Sequence, residues 1–243
     1  MRKILISLLL IPIVALAWPL GHVGSSFIPT GGGANPTFVA EYPTAFDSTT
    51  SPKTSMSAVS INSGDVLVGL FAKESTSGTP GVTEDGTESW ILQQSIFDGS
   101  LTEVDGVTYT ATTSEPLTVT YTNSVAIYFG ANTLRFSNSS GVGASAGTTG
   151  SGSPSVGITT TADNSAIVVI VGDWNAVSGT QTFTSDGGAG TPVNLTDYPG
   201  DNAHYGVAIA YYPDAGTAGA KTVGMSAPTG QAYSIIAIEV KGP

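Results

Sequence analysis

Apolar and polar residues alternate along this chain in short runs with the period of β-strands, and turn residues punctuate them. Leu117-Thr-Val-Thr-Tyr-Thr122 alternates one for one, as a strand with one wet face must. Val66-Leu-Val-Gly-Leu-Phe71 and Ile167-Val-Val-Ile-Val171 are continuous, as strands covered on both faces are. The same reading predicts strands over Thr37–Tyr42, Thr54–Ile61, Asp65–Ala72, Ser89–Phe97, Val107–Thr112, Leu117–Thr122 and Val125–Phe136. It continues with Val156–Thr161, Ala166–Trp174, Thr180–Thr184, Val193–Tyr198, Tyr205–Tyr212, Lys221–Ser226 and Ala232–Lys241. Asp-Gly pairs at 85–86, 98–99, 105–106 and 186–187 read as hairpin turns. No amphipathic helix is predicted. The expected class is all-β: an antiparallel, jelly-roll-like sandwich over residues 36–243.

The pattern also repeats. Ser60–Glu74 parallels Thr160–Trp174, and Leu117–Ser137 parallels Lys221–Lys241, each about a hundred residues apart. Residues 36–140 and 153–243 are therefore expected to be duplicated halves, with Gly141–Gly152 (GVGASAGTTGSG) as a low-complexity bridge. One sandwich whose halves pair their edges is the expected arrangement, with Val66–Val68 and Ile167–Val169 buried in equivalent central strands.

The N-terminus breaks the pattern. Met1-Arg2-Lys3 precedes an apolar run, Ile4–Ala17, ending in Ala15-Leu16-Ala17, the small-x-small form of a signal-peptidase site. Residues 1–17 read as a leader, either cleaved as a signal peptide or retained as an arm on a neighbouring subunit. The Gly- and Pro-rich stretch 18–35 reads as a linker.

Composition narrows the function. Seven basic residues face eighteen acidic ones, a net charge of -11, which repels nucleic acid and anionic membrane surfaces. The chain has no cysteine, so disulfides, thiol chemistry and thiolate zinc sites are excluded. Only 10% of residues are charged, while 40% are hydrophobic, which suits a folded β protein better than a disordered one.

The phrases Ser63-Gly-Asp-Val-Leu-Val68, Thr113-Ser-Glu-Pro-Leu-Thr-Val-Thr120 and Gln231-Ala-Tyr-Ser-Ile-Ile-Ala-Ile238 resemble a loose group of jelly-roll proteins of tailed-phage virions and bacterial surfaces. The similarity covers most of residues 54–241 and is carried by strand-and-turn phrases. It implies a virion-surface or cell-surface role and supplies no catalytic residues.

Candidate chemistry is sparse. Gly143-Ala-Ser-Ala-Gly147 matches the G-x-S-x-G elbow, with Asp201 and His204 downstream in hydrolase order. That elbow needs a strand-to-helix turn, and the bridge offers none, so Ser145 is expected in an exposed loop with no catalytic role. His22 and His204 are the chain's two histidines, and neither has a ligand set around it. Glu41, Glu84, Asp85, Glu88, Glu103, Glu115 and Glu239 could supply a glycosidase pair, but no spacing selects one. Glu84-Asp85-Gly86, Asp163-Asn164 and Asp197 with Asp201-Asn202 are loop clusters of the kind that hold calcium, the one ion the chain suggests. Gly216–Thr222 only superficially matches a phosphate loop, lacking its Gly-Lys pair and helix.

Trp174, Tyr198, Tyr205, Tyr211 and Tyr212 gather in the second half and could form a stacking platform for sugars, if they are not simply core. The function expected is that of a non-enzymatic structural or adhesive protein. It would work on a virion surface or outside the cell, binding neighbouring subunits or surface glycans, as a homo-oligomer or within a larger assembly. The alternatives are a secreted carbohydrate-active enzyme or carbohydrate-binding module, and a filament subunit that donates its N-terminal strand. A cleft lined by two carboxylates and aromatics would favour the carbohydrate reading over a flat sandwich bearing only turn acids.

Overall fold

The computed structural model describes residues 33–74, 78–85, 89–99, 102–174, 180–198, 205–227 and 231–243, except the side chain of Trp174. The leader, most of the linker, His22, Glu88 and Asp201–His204 lie outside them. The described residues hold sixteen strands and no helix. The N-terminal half has β1 (Thr37–Pro43), β2 (Lys53–Ile61), β3 (Val66–Glu74), β4 (Pro80–Glu84), β5 (Ile91–Phe97), β6 (Thr102–Thr110), β7 (Glu115–Asn123) and β8 (Phe129–Ser137). The C-terminal half has β9 (Gly141–Ser151), β10 (Ser155–Thr160), β11 (Ala166–Trp174), β12 (Thr182–Asp186), β13 (Val193–Tyr198), β14 (Tyr205–Tyr212), β15 (Gly219–Ala227) and β16 (Ala232–Lys241).

Each half is a jelly roll of two sheets. The first half orders its strands β1-β8-β3-β6-β5 and β2-β7-β4; the second orders them β9-β16-β11-β14-β13 and β10-β15-β12. The second pattern is the first with every strand number raised by eight. The described strand pairings are antiparallel. The duplication expected from the sequence is present, and β3 and β11 occupy the same central position.

The halves do not pair edges; they stack. Three apolar layers separate four sheets. Met56, Leu67, Phe71, Leu117, Val119, Tyr121 and Phe129 fill the first sandwich. Ile167, Val169, Phe183, Tyr212, Val223, Met225 and Ile235 fill the second. Between the two five-stranded sheets lies a third layer, with Val66, Val68, Leu70 and Leu134 from one side and Val168, Ile170, Ile209, Ile236 and Ile238 from the other. This explains the continuous apolar runs. Alternate residues of β3 enter the first sandwich and the seam, so both faces need covering. Each such Val, Leu or Ile contributes about 1.5–3 kcal/mol by leaving water. The outer strands need only one dry face, and β10 accordingly alternates exposed and buried residues along its length.

Two further expectations need correction. The low-complexity bridge is strand β9, paired with β16 from Ser151 opposite Ala232 to Gly141 opposite Lys241. Its glycines make room for large neighbours. Gly143 leaves space for the Glu239 carboxylate, a Cβ at Gly147 would lie 2.5 Å from Ile96 Cγ1, and one at Gly150 would lie 2.6 Å from the Tyr233 hydroxyl. Likewise Asp105-Gly106 is no turn, because it lies inside β6 opposite Phe71 and Leu70. Gly106 faces the seam, where a Cβ would stand 2.7 Å from Ile238 Cδ1. The strand β4, short and led by Pro80-Gly81, was not predicted.

A cleft at the open edge of the first jelly roll

In the first half β5 pairs with β6 in the inner sheet, leaving β4 as the edge of the outer one. The two edges diverge, and a cleft of about 330 Å³ opens between them into the sandwich. Thr79–Val82 form one lip, and Trp90, Leu92 and Ser95 the other. Phe71, Tyr121 and Val107 line its interior, together with Glu103 and Asp105.

Strand period places these groups. Glu103, Asp105 and Val107 are alternate residues of β6, and their cross-strand neighbours Lys73, Phe71 and Gly69 share their face. Gly69 provides space at the centre. A Cβ there would strike the Tyr121 hydroxyl and stand 2.7 Å from Val107 Cγ2 and 3.2 Å from Trp90 Cζ3. The Tyr121 hydroxyl bonds to Thr133 Oγ1 at 2.9 Å, and burial pushes its pKa upward despite that bond.

The charges are arranged unevenly. Lys73 is 1% exposed, donates to Gly78 O at 2.8 Å and pairs with Glu103 Oε2 at 3.1 Å. Asp105 is 4% exposed. Burial pushes its carboxyl up to about 6; the Ser95 hydroxyl and Lys73 pull it down, and Glu103 pushes it up. Asp105 Oδ2 has no hydrogen-bond partner, and neither does Trp90 Nε1. The cleft thus holds one unmatched acceptor and one unmatched donor among aromatic rings. A buried polar atom without a partner costs about 1–3 kcal/mol.

The two acids are neighbours on one strand, about 7 Å apart along it by strand rise. They line a single wall, and Glu103 is already held by Lys73. A glycosidase pair stands on opposite sides of the scissile bond.

The residues expected from the sequence fall elsewhere. Tyr205 and Tyr212 are fully buried on opposite faces of β14, donating to Phe46 O at 3.1 Å and to Thr184 O at 2.6 Å. Tyr211 stacks on Phe38 at 4.7 Å, and Tyr198 packs against Phe46 and Tyr205. Tyr205 and Tyr212 are core residues with no face open to a ligand, while Tyr198 and Tyr211 are half-buried against the seam. Trp174's side chain lies outside the described residues.

Ser145 is half-buried in β9 and not in a loop. It accepts from Gln94 Nε2 at 3.1 Å and donates to Gln93 O at 3.4 Å, while Asp201 and His204 lie outside the described residues. Glu239 is a structural anchor. It is fully buried and accepts from the N–H groups of Ala144, Thr161 and Ala162 and the hydroxyls of Thr161 and Ser165, at 2.7–3.0 Å. Burial pushes its pKa up, but those donors together outweigh burial and hold it below the usual range.

Glu41 and Glu115 accept from Asn132 and Thr113. Asp85 and Asp163 cap turns through the N–H groups of Thr118 and Ala218. No cluster of three or more His, Asp or Glu able to hold a metal ion occurs among the described residues.

The sequence reading passed over Trp90, Tyr121, Lys73 and Asp105. The signal was present in Glu103-Val-Asp-Gly-Val-Thr-Tyr109, where two acids share an alternating row with Val107 and Tyr109. Comparison of the chain with protein-family models, curated proteins and solved structures finds no match. The fold and this cleft therefore carry the functional argument.

Proposed function

We propose that this protein is a non-catalytic, adhesive double jelly roll that captures a glycan in the cleft between β4 and β5. The carrying observation is the pairing of an unmatched acceptor, Asp105 Oδ2, with an unmatched donor, Trp90 Nε1, in a pocket walled by Trp90, Tyr121 and Phe71. A sugar offers the complement: an apolar ring face for stacking and hydroxyls that both donate and accept. The net charge of -11 suits a surface that sheds other anions. The resemblance to virion and bacterial surface proteins, and the leader-like N-terminus, support work on a virion surface or outside the cell.

The test is a glycan array followed by calorimetry, comparing the wild type with Trp90→Ala. The expected result is saturable binding weakened roughly tenfold or more in the variant, with every bound glycan recovered intact. Absence of binding across the array, equal binding by a folded Trp90→Ala protein, or release of cleaved sugar would overturn the proposal.

A second reading, association with protein subunits, is favoured by the apolar tip of β5. Ile91 and Leu92 are each 61% exposed there. Light scattering of the wild type and an Ile91→Ser, Leu92→Ser double variant tests it: the wild type should be oligomeric and the variant monomeric.

A further inference from the structure

Resting on the glycan reading, we infer that the cleft recognises chain ends: it admits the terminal sugar of a neutral glycan, not an internal stretch. The first ground is size. A volume of about 330 Å³ stands at the bottom of the 300–1,000 Å³ range of ligand pockets. A groove that reads several rings of a polysaccharide needs more length.

The second ground is shape. The floor is made of core side chains, Phe71 at 3% and Tyr121 at 1% exposure. One end of the acidic wall is closed by the Lys73–Glu103 pair, where Lys73 also ties down Gly78. Behind the floor run the paired backbones of β3 and β6. The cleft is half open to solvent, with Thr79, Pro80 and the exposed Leu92 on its outer side and the buried Phe71 and Tyr121 on its inner side.

The third ground is chemistry. Asp105 and Glu103 carry two negative charges against the single positive charge of Lys73. A terminal sugar bearing a carboxylate or sulfate would meet net repulsion, and its burial would add a second uncompensated anion beside Asp105. A neutral ring donates one hydroxyl to Asp105 Oδ2, accepts from Trp90 Nε1 with another, and lays its apolar face against the aromatic wall. Leu92, at the mouth, would touch the second ring at most.

The experiment is calorimetry on the full-length protein, using neutral oligosaccharides of one to six rings that share the terminal unit bound best on the array. Parallel series carry an O-methylated or a carboxylated terminal ring. Affinity should level off by the second ring, and blocking or carboxylating the terminal ring should weaken binding roughly tenfold or more. Trp90→Ala should lose binding. Val193→Ala, an exposed residue of β13 in the other half, should leave the monosaccharide affinity within about twofold. Affinity that climbs with every added ring, or that ignores terminal blocking, overturns the chain-end inference and leaves the glycan proposal standing. If no glycan in the series binds, both fall.

Discussion

Replacing Asp105 with Asn should stabilise the protein at neutral pH and weaken its ligand binding. The carboxyl is 4% exposed, and burial raises its pKa from the ordinary 3.8 to about 6. The folded state therefore holds this proton more tightly than the unfolded chain does. Asp105's contribution to stability is fully present below about pH 4, is lost as pH rises through about 6, and stays lost above that. A shift of about two units corresponds to about 3 kcal/mol at 1.36 kcal/mol per unit, an upper figure for the penalty of ionising Asp105 in place. Asparagine keeps the shape without the charge.

Urea unfolding of the full-length wild type and Asp105→Asn should give similar stabilities at pH 4. The variant should become more stable by up to about 3 kcal/mol at pH 7.5. Taking the difference between the two proteins at each pH cancels groups common to both, Asp173 and Glu239 among them. A gap that does not change with pH, or a variant less stable at pH 7.5, would refute the assignment of a strained carboxylate to the cleft. If the same variant also binds glycan more weakly, the strain is retained for binding, as functional sites often require.

Three further substitutions probe the frame. Glu239→Ala removes the one acceptor that serves three N–H groups and two hydroxyls, and should cost about 3–5 kcal/mol by urea unfolding. Because its pKa is lowered, the wild-type contribution of Glu239 is present above the unfolded carboxylate range and disappears as pH falls, so the gap to Glu239→Ala should shrink in acid. Gly69→Ala drives a methyl against the Tyr121 hydroxyl and Val107, and should cost about 1–3 kcal/mol while displacing Trp90 and weakening binding. Gly106→Ala meets chiefly the flexible end of Ile238, at 2.7 Å, with Ile236 Cγ2 at 3.4 Å, so its thermal midpoint should fall less than that of Gly69→Ala.

The central strands were legible because their physics is local. A run such as Ile167–Val171 has no polar face, so both sides must be covered, and the hundred-residue offset already paired it with Val66–Phe71. The number of layers was not legible, since a doubly buried strand looks the same whether its second neighbour is a sheet or a helix. Strand β9 was hidden by its own fitness for the site. Its glycines look like linker until Glu239, Ile96 and Tyr233 are seen to occupy the space a Cβ would need. The tyrosines of β14 read as a platform because they cluster in sequence. Alternation sends Tyr205 and Tyr212 to opposite faces, which the spacing of seven already implied. The β5–β6 hairpin at Asp98-Gly99 was legible, but the cleft was not, because β4, which forms its other lip, is a short strand led by Pro80-Gly81 with no clear strand pattern.

The duplication supplies an internal control on which buried polar groups the fold requires. Aligning β3 with β11 sets Phe71 on Val171 and Lys73 on Asp173, and the strand registers then set Asp105 on Ala208 and Glu103 on Gly206. At the ends of the central strands both halves keep a polar fastening but exchange its chemistry. The first half uses Arg135, whose Nε donates to Asp65 at 2.8 Å, and the second uses Glu239, which accepts from Ser165 at 2.7 Å. A fastening is needed at that corner, and either sign of charge serves. The Asp105 position differs in kind. The second half fills it with a buried alanine, 1% exposed, on the same jelly-roll frame. An acid that the duplicate fold dispenses with, that raises the energy of the folded state at neutral pH, and that opens onto a cleft beside an unmatched indole N–H has no account in packing. Under the glycan proposal, binding would account for it; the second half keeps a buried carboxylate of its own at Asp173, on the central strand, whose Oδ1 also has no partner.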